Sequence, residues 1–197
     1  MFVSWLGAST IKIEYKRGED NATVLIDPYQ SKEIAISRAH NAEVVLLTRG
    51  SEEVVNGAKD PYTIEYPGEY ETHDVAVVGF ATPSTAASVV YRFSVEDLTC
   101  AHLGAIDQKL DDATAAELDG VDVLFVPVGG NGSLSADKAA ELVTQIEPRV
   151  LIPICHEDSS AFLKQLGITD HQTEERAKLR KKDLPEATMT TIILTRS

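Results

Sequence analysis

The chain has 197 residues, 43% of them hydrophobic and 25% charged, and its formal net charge is −13. This composition is typical of a globular protein and excludes general disorder, and the length suits a single domain spanning residues 1–197. The acidic balance argues against DNA, RNA or an anionic membrane surface as the main partner, because phosphate groups are bound by clustered Lys and Arg.

Targeting and redox features are sparse. The two cysteines, Cys100 and Cys155, cannot form a disulfide framework. The N-terminus has neither a basic region nor a long apolar core, and no apolar run approaches the ~18 residues of a membrane span. We therefore predict a cytoplasmic protein that does not enter a membrane.

The first half of the chain predicts mostly strands. Phe2–Leu6, Ile11–Tyr15 and Thr23–Ile26 are short apolar segments separated by turns, as in an antiparallel meander. Lys32–Ala39 is predicted as a short helix. The continuous apolar run Glu43–Leu47 is typical of a strand buried on both faces. Further strands are predicted at Val75–Phe80 and Val89–Val95.

The second half alternates strands and helices. Strands are predicted at Thr99–Leu103, Val121–Pro127, Val150–Ile154 and Thr188–Leu194, and helices at Asp111–Leu118, from Ser135 to Glu147, and at Ser159–Leu166. The basic segment Arg176–Lys182 is predicted as a solvated edge strand. Two stacked sheets with helices outside are the expected layered α/β architecture.

Local motifs give weak chemical signals. Cys155, His156, Glu157 and Asp158 follow a buried-looking strand, where open sheets place ligands, but a strand end running into a helix cap is the simpler interpretation. His102 is most simply a buried histidine bonded to backbone, and Asp27 a turn carboxylate before Pro28. The five histidines show no local metal-binding spacing.

A set of segments nevertheless occurs in a characteristic order: Trp5–Gly7, Leu25–Tyr29 (LIDPY), Val44–Thr48 (VVLLT), Tyr66–Glu71 (YPGEYE), His102–Gly104, Leu124–Gly130 (LFVPVGG), Ala139–Ile154 and Lys181–Glu186 (KKDLPE). Together they resemble the metallo-β-lactamase fold, in its branch of small L-ascorbate-6-phosphate-lactonase-like hydrolases. The resemblance spans nearly the whole chain. It implies a four-layer αββα sandwich of two mixed sheets, with the active site at one edge of the sheets.

The resemblance also implies a zinc or manganese site, and the chain departs from it there. Relatives carry T-H-x-H-x-D-H after the strand that ends here at Thr48. The three histidine positions are Arg49, Ser51 and Val54, and only Glu53, at the Asp position, keeps a carboxylate. The region of the next family histidine, 82–85, contains none.

Two later positions of the family's metal site also differ. The bridging Asp of H-L-G-D is Ala105, and the final histidine aligns with Cys155, with His156 one position along. Alanine and valine have no donor atoms, and a protonated guanidinium repels cations. Glu53, Cys155 and His156 alone would form a poor metal site, since tight sites use three or four ligands.

The sequence therefore predicts a degenerate site without a cofactor and a non-catalytic protein that binds a ligand or acts through assembly. Arg49 is expected to fill part of the vacated site and to pair with Glu52 or Glu53. A small-molecule ligand and a homo-oligomer are both compatible with the sequence. The alternative is a hydrolase of a small lactone or phosphoester with a relocated site, built from Asp27, Glu53, His102, Cys155 and His156, with Cys155 as nucleophile or soft ligand.

Overall fold

The computed structural model describes residues 1–30, 41–52, 54, 60–130 and 132–197. Its strands are β1 (Phe2–Gly7), β2 (Thr10–Arg17), β3 (Asp20–Ile26), β4 (Val44–Leu46), β5 (Tyr62–Ile64), β6 (Gly68–Thr72), β7 (Val75–Ala81), β8 (Val89–Val95), β9 (Leu98–His102), β10 (Val123–Pro127), β11 (Val150–Ile154), β12 (Gln172–Glu174), β13 (Arg176–Lys178) and β14 (Thr190–Leu194). Its helices are α1 (Asp112–Glu117), α2 (Ala136–Ile146) and α3 (Ser160–Gln165).

The strands form two mixed sheets, as predicted. The first sheet has the order β13-β1-β2-β3-β4-β5, and the second has the order β12-β14-β11-β10-β9-β8-β7-β6. In the first sheet β1 to β3 are antiparallel, whereas β3, β4 and β5 run parallel. In the second sheet β6 to β9 form an antiparallel meander, and β9, β10, β11 and β14 are parallel.

The main core lies between the two sheets. It is formed by alternate residues of the strands, which point to one face because side chains along a strand alternate. Each such burial contributes about 1.5–3 kcal/mol. Fully buried members from both sheets include Val3, Ile13, Val24, Leu46, Tyr91, Phe93, Phe125 and Ile152.

A second core lies between the outer face of the second sheet and the helices. The predicted apolar face of α2, formed by Ala139, Leu142, Val143 and Ile146, is buried there against Leu124 and Val126. Ser135 is the residue before α2 and is extended, but its side chain makes no capping hydrogen bond. No helix of the described residues is long and apolar enough to span a membrane.

Some predicted elements differ from the structure. The short strands β5, β6 and β12 have no strong alternating pattern and were not predicted. The basic segment is an edge strand only over Arg176–Lys178, and a 3₁₀ turn follows at Lys181–Asp183. The predicted helix Lys32–Ala39 lies outside the described residues.

Buried Asp122 ties the C-terminal segment to the second sheet. Its carboxylate accepts hydrogen bonds from Lys181 Nζ at 2.6 Å and from the Thr99 amide at 2.9 Å. Arg149 contacts the same carboxylate and donates to the Pro185 carbonyl at 2.8 Å. Burial alone raises the pKa of Asp122, but the bonds from Lys181 and Thr99 outweigh it and hold the pKa below its usual value.

A single phenol joins the two sheets at one end of the sandwich. Tyr91 of β8 is fully buried, and its hydroxyl lies 2.8 Å from the Leu47 carbonyl and 3.1 Å from the Ile64 carbonyl of the first sheet. The Leu47 amide also donates to the Ile64 carbonyl at 2.9 Å. The phenol thus holds the end of β4 against β8.

We predict that Tyr91→Phe lowers the free energy of unfolding by about 1–3 kcal/mol, because the substitution removes a buried hydroxyl and leaves the Leu47 carbonyl without that donor. Urea unfolding measures the change. Tyr70→Phe is the matched control: the Tyr70 hydroxyl bonds the Tyr66 carbonyl in an exposed position, and its loss is expected to cost less than about 0.5 kcal/mol. Equal losses for the two variants would contradict the role of Tyr91.

Candidate functional site

Several chain segments meet where strands of both sheets end. The Cys155 amide, just after β11, donates to the Ala8 carbonyl of the β1–β2 turn at 3.0 Å. The Cys155 thiol lies 4.0 Å from the Gly104 carbonyl, beyond β9. Gly104 is packed so closely on Thr48, beyond β4, that a Cβ would lie 2.6 Å from the Thr48 hydroxyl. We call the group Ala8, Asp27, Thr48, Gly104, Cys155 and His156 the strand-end site.

Asp27 lies at the base of this site, just after β3. It is 0% exposed, and its carboxylate accepts hydrogen bonds from the Thr48 amide and the Thr48 hydroxyl, both at 2.7 Å. Burial raises the pKa of Asp27 to about 6, although the bonds from Thr48 and Ser9 and the charge of Arg49 act in the opposite direction. The carboxyl group therefore fixes Thr48, the second residue after β4.

Tyr29 fixes the next two residues. Its hydroxyl accepts from the Arg49 amide at 3.0 Å and donates to the Gly50 carbonyl at 2.9 Å. The Arg49 guanidinium carbon lies 4.0 Å from the centre of the Tyr29 ring, a cation–π contact. The segment in which the resemblance places the metal motif is thus held here by Asp27 and Tyr29.

Arg49 contributes positive charge to the site, since its charge lowers the pKa of Asp27. Its expected pairing with Glu52 or Glu53 remains a prediction, because Glu53 lies outside the described residues. Ser51 is exposed.

His102 is a buried histidine bonded to backbone, the simpler of the two interpretations of this residue. The ring is 0% exposed, its Nε2 lies 2.9 Å from the Ser9 carbonyl, and its Nδ1 accepts from the Gly104 amide at 3.0 Å. This pattern requires the proton on Nε2. Burial lowers the pKa of His102 to about 3, so the ring is neutral at physiological pH. Both nitrogens bond backbone, which leaves neither available as a metal ligand.

The position of Ala105 is half-buried and has no donor atom. The nearby carboxylate of Asp107 points instead to the 82–85 loop, where it accepts from the Ser84 hydroxyl at 2.7 Å and the Thr85 hydroxyl at 3.3 Å. These hydrogen bonds lower the pKa of Asp107. The two segments in which the resemblance places metal ligands are joined here by a Ser–Asp contact, which the sequence did not indicate.

Cys155 and His156 differ in chemical availability. Burial raises the pKa of the Cys155 thiol, so the nucleophilic thiolate is scarce at neutral pH. The His156 ring stacks on Trp5 with centroids 5.0 Å apart and planes 26° apart. Both His156 ring nitrogens are shielded from solvent and make no hydrogen bond. Burial lowers the pKa of His156, although the Pro153 backbone and the charge of Asp158 act in the opposite direction, so this ring is a neutral group.

Three residues of the site have a backbone conformation that L-residues rarely adopt. Ala8, Asp27 and Cys155 have φ angles of 44°, 51° and 57°. Asp tolerates this left-handed region, but Ala and Cys have no side-chain hydrogen bond that favours it. Such strain costs about 1–3 kcal/mol per residue and is found mainly at functional sites.

The described residues do not fit a metal centre by themselves. No three His, Cys, Asp or Glu side chains among them converge on one point. The oxygens of Asp27 and the nitrogens of His102 are already bonded, which leaves Cys155 and His156 as neighbouring donors. The chemistry of these donors therefore assigns no ligand set.

We predict that the free energy of unfolding depends on pH through the titration of Asp27. A carboxyl group whose folded pKa is about 6 and whose ordinary pKa is 3.8 stabilises the fold most below pH 3.8, and this contribution is lost as pH rises through 6. Relative to Asp27→Asn, the wild-type free energy of unfolding should fall by about 3 kcal/mol across that range, at 1.36 kcal/mol per pKa unit. Asn can keep both Thr48 contacts, since its amide donates to the hydroxyl.

Denaturant unfolding at a series of pH values measures this difference. Asp122→Asn is the control of opposite sign: the pKa of Asp122 is lowered, so its contribution is present above its ordinary pKa and is lost as pH falls. If the free energy of unfolding changes with pH in the same way in wild type and Asp27→Asn, the pKa of Asp27 is not raised by folding.

Curated relatives cover most of the chain. A UPF0173 protein of Pyrococcus furiosus is 26% identical over 196 residues, which cover 84% of this chain and 90% of the relative. A UPF0173 metal-dependent hydrolase of Staphylococcus aureus (strain MRSA252) is 25% identical over 209 residues, covering 84% of this chain and 89% of the relative.

Solved structures show the same fold. A Thermotoga maritima protein described as a Zn-dependent hydrolase of the metallo-β-lactamase superfamily superposes with a TM-score of 0.82 at 22% identity, covering 98% of this chain and 97% of that one. A Parabacteroides distasonis protein described as a metal-dependent hydrolase gives a TM-score of 0.66 at 13% identity, covering 98% and 91%.

These findings correct two predictions. The interpretation as a non-catalytic protein with a degenerate site, and the prediction that it uses no cofactor, are contradicted, because relatives are named metal-dependent hydrolases and the first of these structures is described as Zn-dependent. The physical reason is that the prediction counted metal-binding donor atoms only at positions aligned with the family motif. Donors can come from any segment that the fold brings near the site.

A family profile decides the classification. The profile described as "Beta-lactamase superfamily domain" matches residues 2–155, well over half of the chain. The match includes β1 to β11 and ends at Cys155 of the strand-end site. The relatives belong to UPF0173, and the ascorbate-6-phosphate-lactonase-like branch stays a prediction. The chain belongs to the metallo-β-lactamase superfamily.

Proposed function

We propose that this protein is a hydrolase of a small lactone or phosphoester, with its reaction centre at the strand-end site. The observation that carries the proposal is the strained backbone of Ala8, Asp27 and Cys155, gathered at the ends of strands from both sheets. Residues held in such conformations cluster at functional sites, although five others in the described chain occur elsewhere: Asp60, His73, Asp74, Glu96 and Glu147. The names of the UPF0173 relatives support the same reaction class.

His156 is the group proposed to act on the substrate. Its ring is neutral and stacked on Trp5, and neither nitrogen makes a well-formed hydrogen bond to the protein. A neutral imidazole of this kind accepts a proton at one nitrogen and donates one at the other, as general acid–base catalysis requires. The high pKa of Cys155 disfavours a thiolate nucleophile and leaves His156 as the better candidate.

The surrounding residues are proposed to position His156 and the substrate. Trp5 donates from its indole nitrogen to the Ala8 carbonyl at 2.8 Å, and the Cys155 amide donates to the same carbonyl. These two bonds hold the stacking ring and the backbone next to His156 in one arrangement. Asp27 holds Thr48 on the opposite side of Gly104.

We predict that His156→Gln lowers kcat/KM by about 100-fold or more, the usual contribution of a general acid or base. The assay is a panel of lactones, phosphodiesters and phosphomonoesters. His171→Gln is the matched control, because His171 is exposed and is not part of the strand-end site. Full activity of His156→Gln, with the fold intact by circular dichroism, would remove His156 from the mechanism. An inactive wild type across the whole panel would contradict the proposed function.

We expect a metal dependence like that in the relatives' names, and it is tested separately. A divalent metal supplies Lewis acidity and lowers the pKa of bound water. Hydrolysis should fall after dialysis against a chelator and return on addition of Zn²⁺ or Mn²⁺, with bound metal measured by mass spectrometry. Activity that survives chelation, in a protein free of bound metal, would contradict this expectation and leave the hydrolase assignment standing.

A further inference from the structure

The His156 ring is shielded in the position in which the structure holds it. Both ring nitrogens are buried from solvent, and neither makes a well-formed hydrogen bond to the described residues. One face of the ring lies against Trp5, which is itself only 7% exposed. A general acid or base has to come within about 2.6–3.2 Å of the group with which it exchanges a proton. A substrate does not reach nitrogens that water does not reach, so either His156 or the group that covers it has to move.

Trp5 is anchored through both its backbone and its side chain. It lies within β1, in register with Ile11 of β2. On its other side it forms a parallel bridge with Arg196, and its carbonyl accepts from the Ser197 amide at 3.0 Å. Its indole nitrogen donates to the Ala8 carbonyl at 2.8 Å. A displacement of the indole ring breaks a hydrogen bond, and a displacement of the backbone breaks the pairing of β1 on both sides.

Residues 195–197 support Trp5 where the edge strand β13 ends. β13 is in register with β1 only as far as Ser4, one residue before Trp5. Beyond that point the 195–197 segment lies beside β1. Its own position is fixed by the Thr195 amide, which donates to the Glu174 carbonyl at 2.8 Å. Trp5 therefore has a neighbour on each side, although β13 does not reach it.

His156 is restrained far less than Trp5. It follows β11 and lies outside any helix or strand, and the next two residues, Glu157 and Asp158, are exposed. Since its ring nitrogens make no well-formed hydrogen bond, rotation of the side chain breaks none. The preceding residue, Cys155, has a φ angle of 57°, which is unfavourable for an L-residue. Stacking on Trp5 is a packing contact that a change of rotamer removes. Of the two stacked rings, His156 is thus the one that can move.

We propose that the stacked position of His156 is its resting position, and that the ring rotates away from a stationary Trp5 to reach the substrate. Trp5 is a positioning residue in this scheme, because it fixes the place to which the ring returns after each turnover. Residues 195–197 keep Trp5 stationary. Opening of the stack is then a conformational step that every turnover includes. Since it gives the reacting role to His156, this proposal rests on the proposed function.

Chemical modification of the wild-type protein tests the two positions of the ring. Diethyl pyrocarbonate acylates unprotonated imidazole nitrogens that solvent reaches, and mass spectrometry of peptides gives the rate at each histidine. His171 is exposed and provides the reference rate. At mildly alkaline pH we expect His156 to react about tenfold or more slowly than His171, because only a minor open state reacts, yet to react completely in the folded protein.

Either of two results overturns the proposal. A His156 that reacts as fast as His171 is not shielded at rest, and a His156 that reacts only after unfolding in urea does not rotate out. Neither measurement uses a substrate. An inactive wild type on the ester and lactone panel therefore contradicts the proposed function, whereas the modification rates decide whether the ring has two positions.

Two variants of Trp5 test its positioning role. Trp5→Leu removes the aromatic face, so the open state gains population and the modification of His156 should be about tenfold faster, whereas Trp5→Phe keeps a face for stacking and should restore a rate near that of wild type. With a substrate that the wild type hydrolyses, Trp5→Leu should lower kcat about tenfold and leave KM nearly unchanged, because the ring is less often correctly oriented. Equal kinetics in the two variants would contradict the positioning role.

A matched pair at Ser197 tests the support of Trp5 with little risk to folding, since this residue is exposed. Ser197→Pro removes the amide that bonds the Trp5 carbonyl, and Ser197→Ala keeps it. We expect modification of His156 to be about threefold or more faster in Ser197→Pro and unchanged in Ser197→Ala, with the rate at His171 equal in both. Identical rates at His156 in the pair would show that residues 195–197 do not hold the stack.

Discussion

The buried contact between the Asp27 carboxyl and Thr48 determines how the candidate site is arranged. It joins the ends of β3 and β4, and it is made by a side chain that is fully buried and therefore unfavourable to ionise. Gly104 can approach only because it has no side chain, since a Cβ there would collide with the Thr48 hydroxyl. Gly104 packs on this contact, and its amide in turn bonds His102.

The site lies where segments of the two sheets are hydrogen-bonded to each other. Ala8 comes from a hairpin of the first sheet, and Cys155 follows the parallel strand β11 of the second, yet one hydrogen bond joins them. Tyr91 makes a similar connection from β8 to the segment after β4. Chemistry placed at such a junction is held by both sheets, which keeps its geometry precise although the segments are short.

Local patterns predicted the strands of the meander and the buried face of α2, because each depends on neighbours in sequence. The backbone-bonded His102 was expected only from the general behaviour of buried histidines, since its partner Ser9 is distant in the chain. The strand-end site depends on contacts between distant segments, such as Asp107 with Ser84 and Trp5 with His156. No spacing rule reveals these pairs. Motif comparison pointed to the edge of the sheets where the strand-end site lies, and this location stays a prediction, whereas counting ligands at aligned positions led to the wrong conclusion about catalysis and cofactor. The edge strands β5, β6 and β12 escaped prediction since they are mostly exposed and carry no alternating apolar pattern.

The stacking of Trp5 on His156 has a practical consequence. Trp5 is the only tryptophan of the chain, so its emission comes from one place, the wall of the strand-end site. Its indole nitrogen is bonded to the Ala8 carbonyl, which fixes the ring relative to the turn. A molecule or a proton that reaches His156 changes the surroundings of this one fluorophore. The protein therefore contains its own optical probe of events at the site, without any added label.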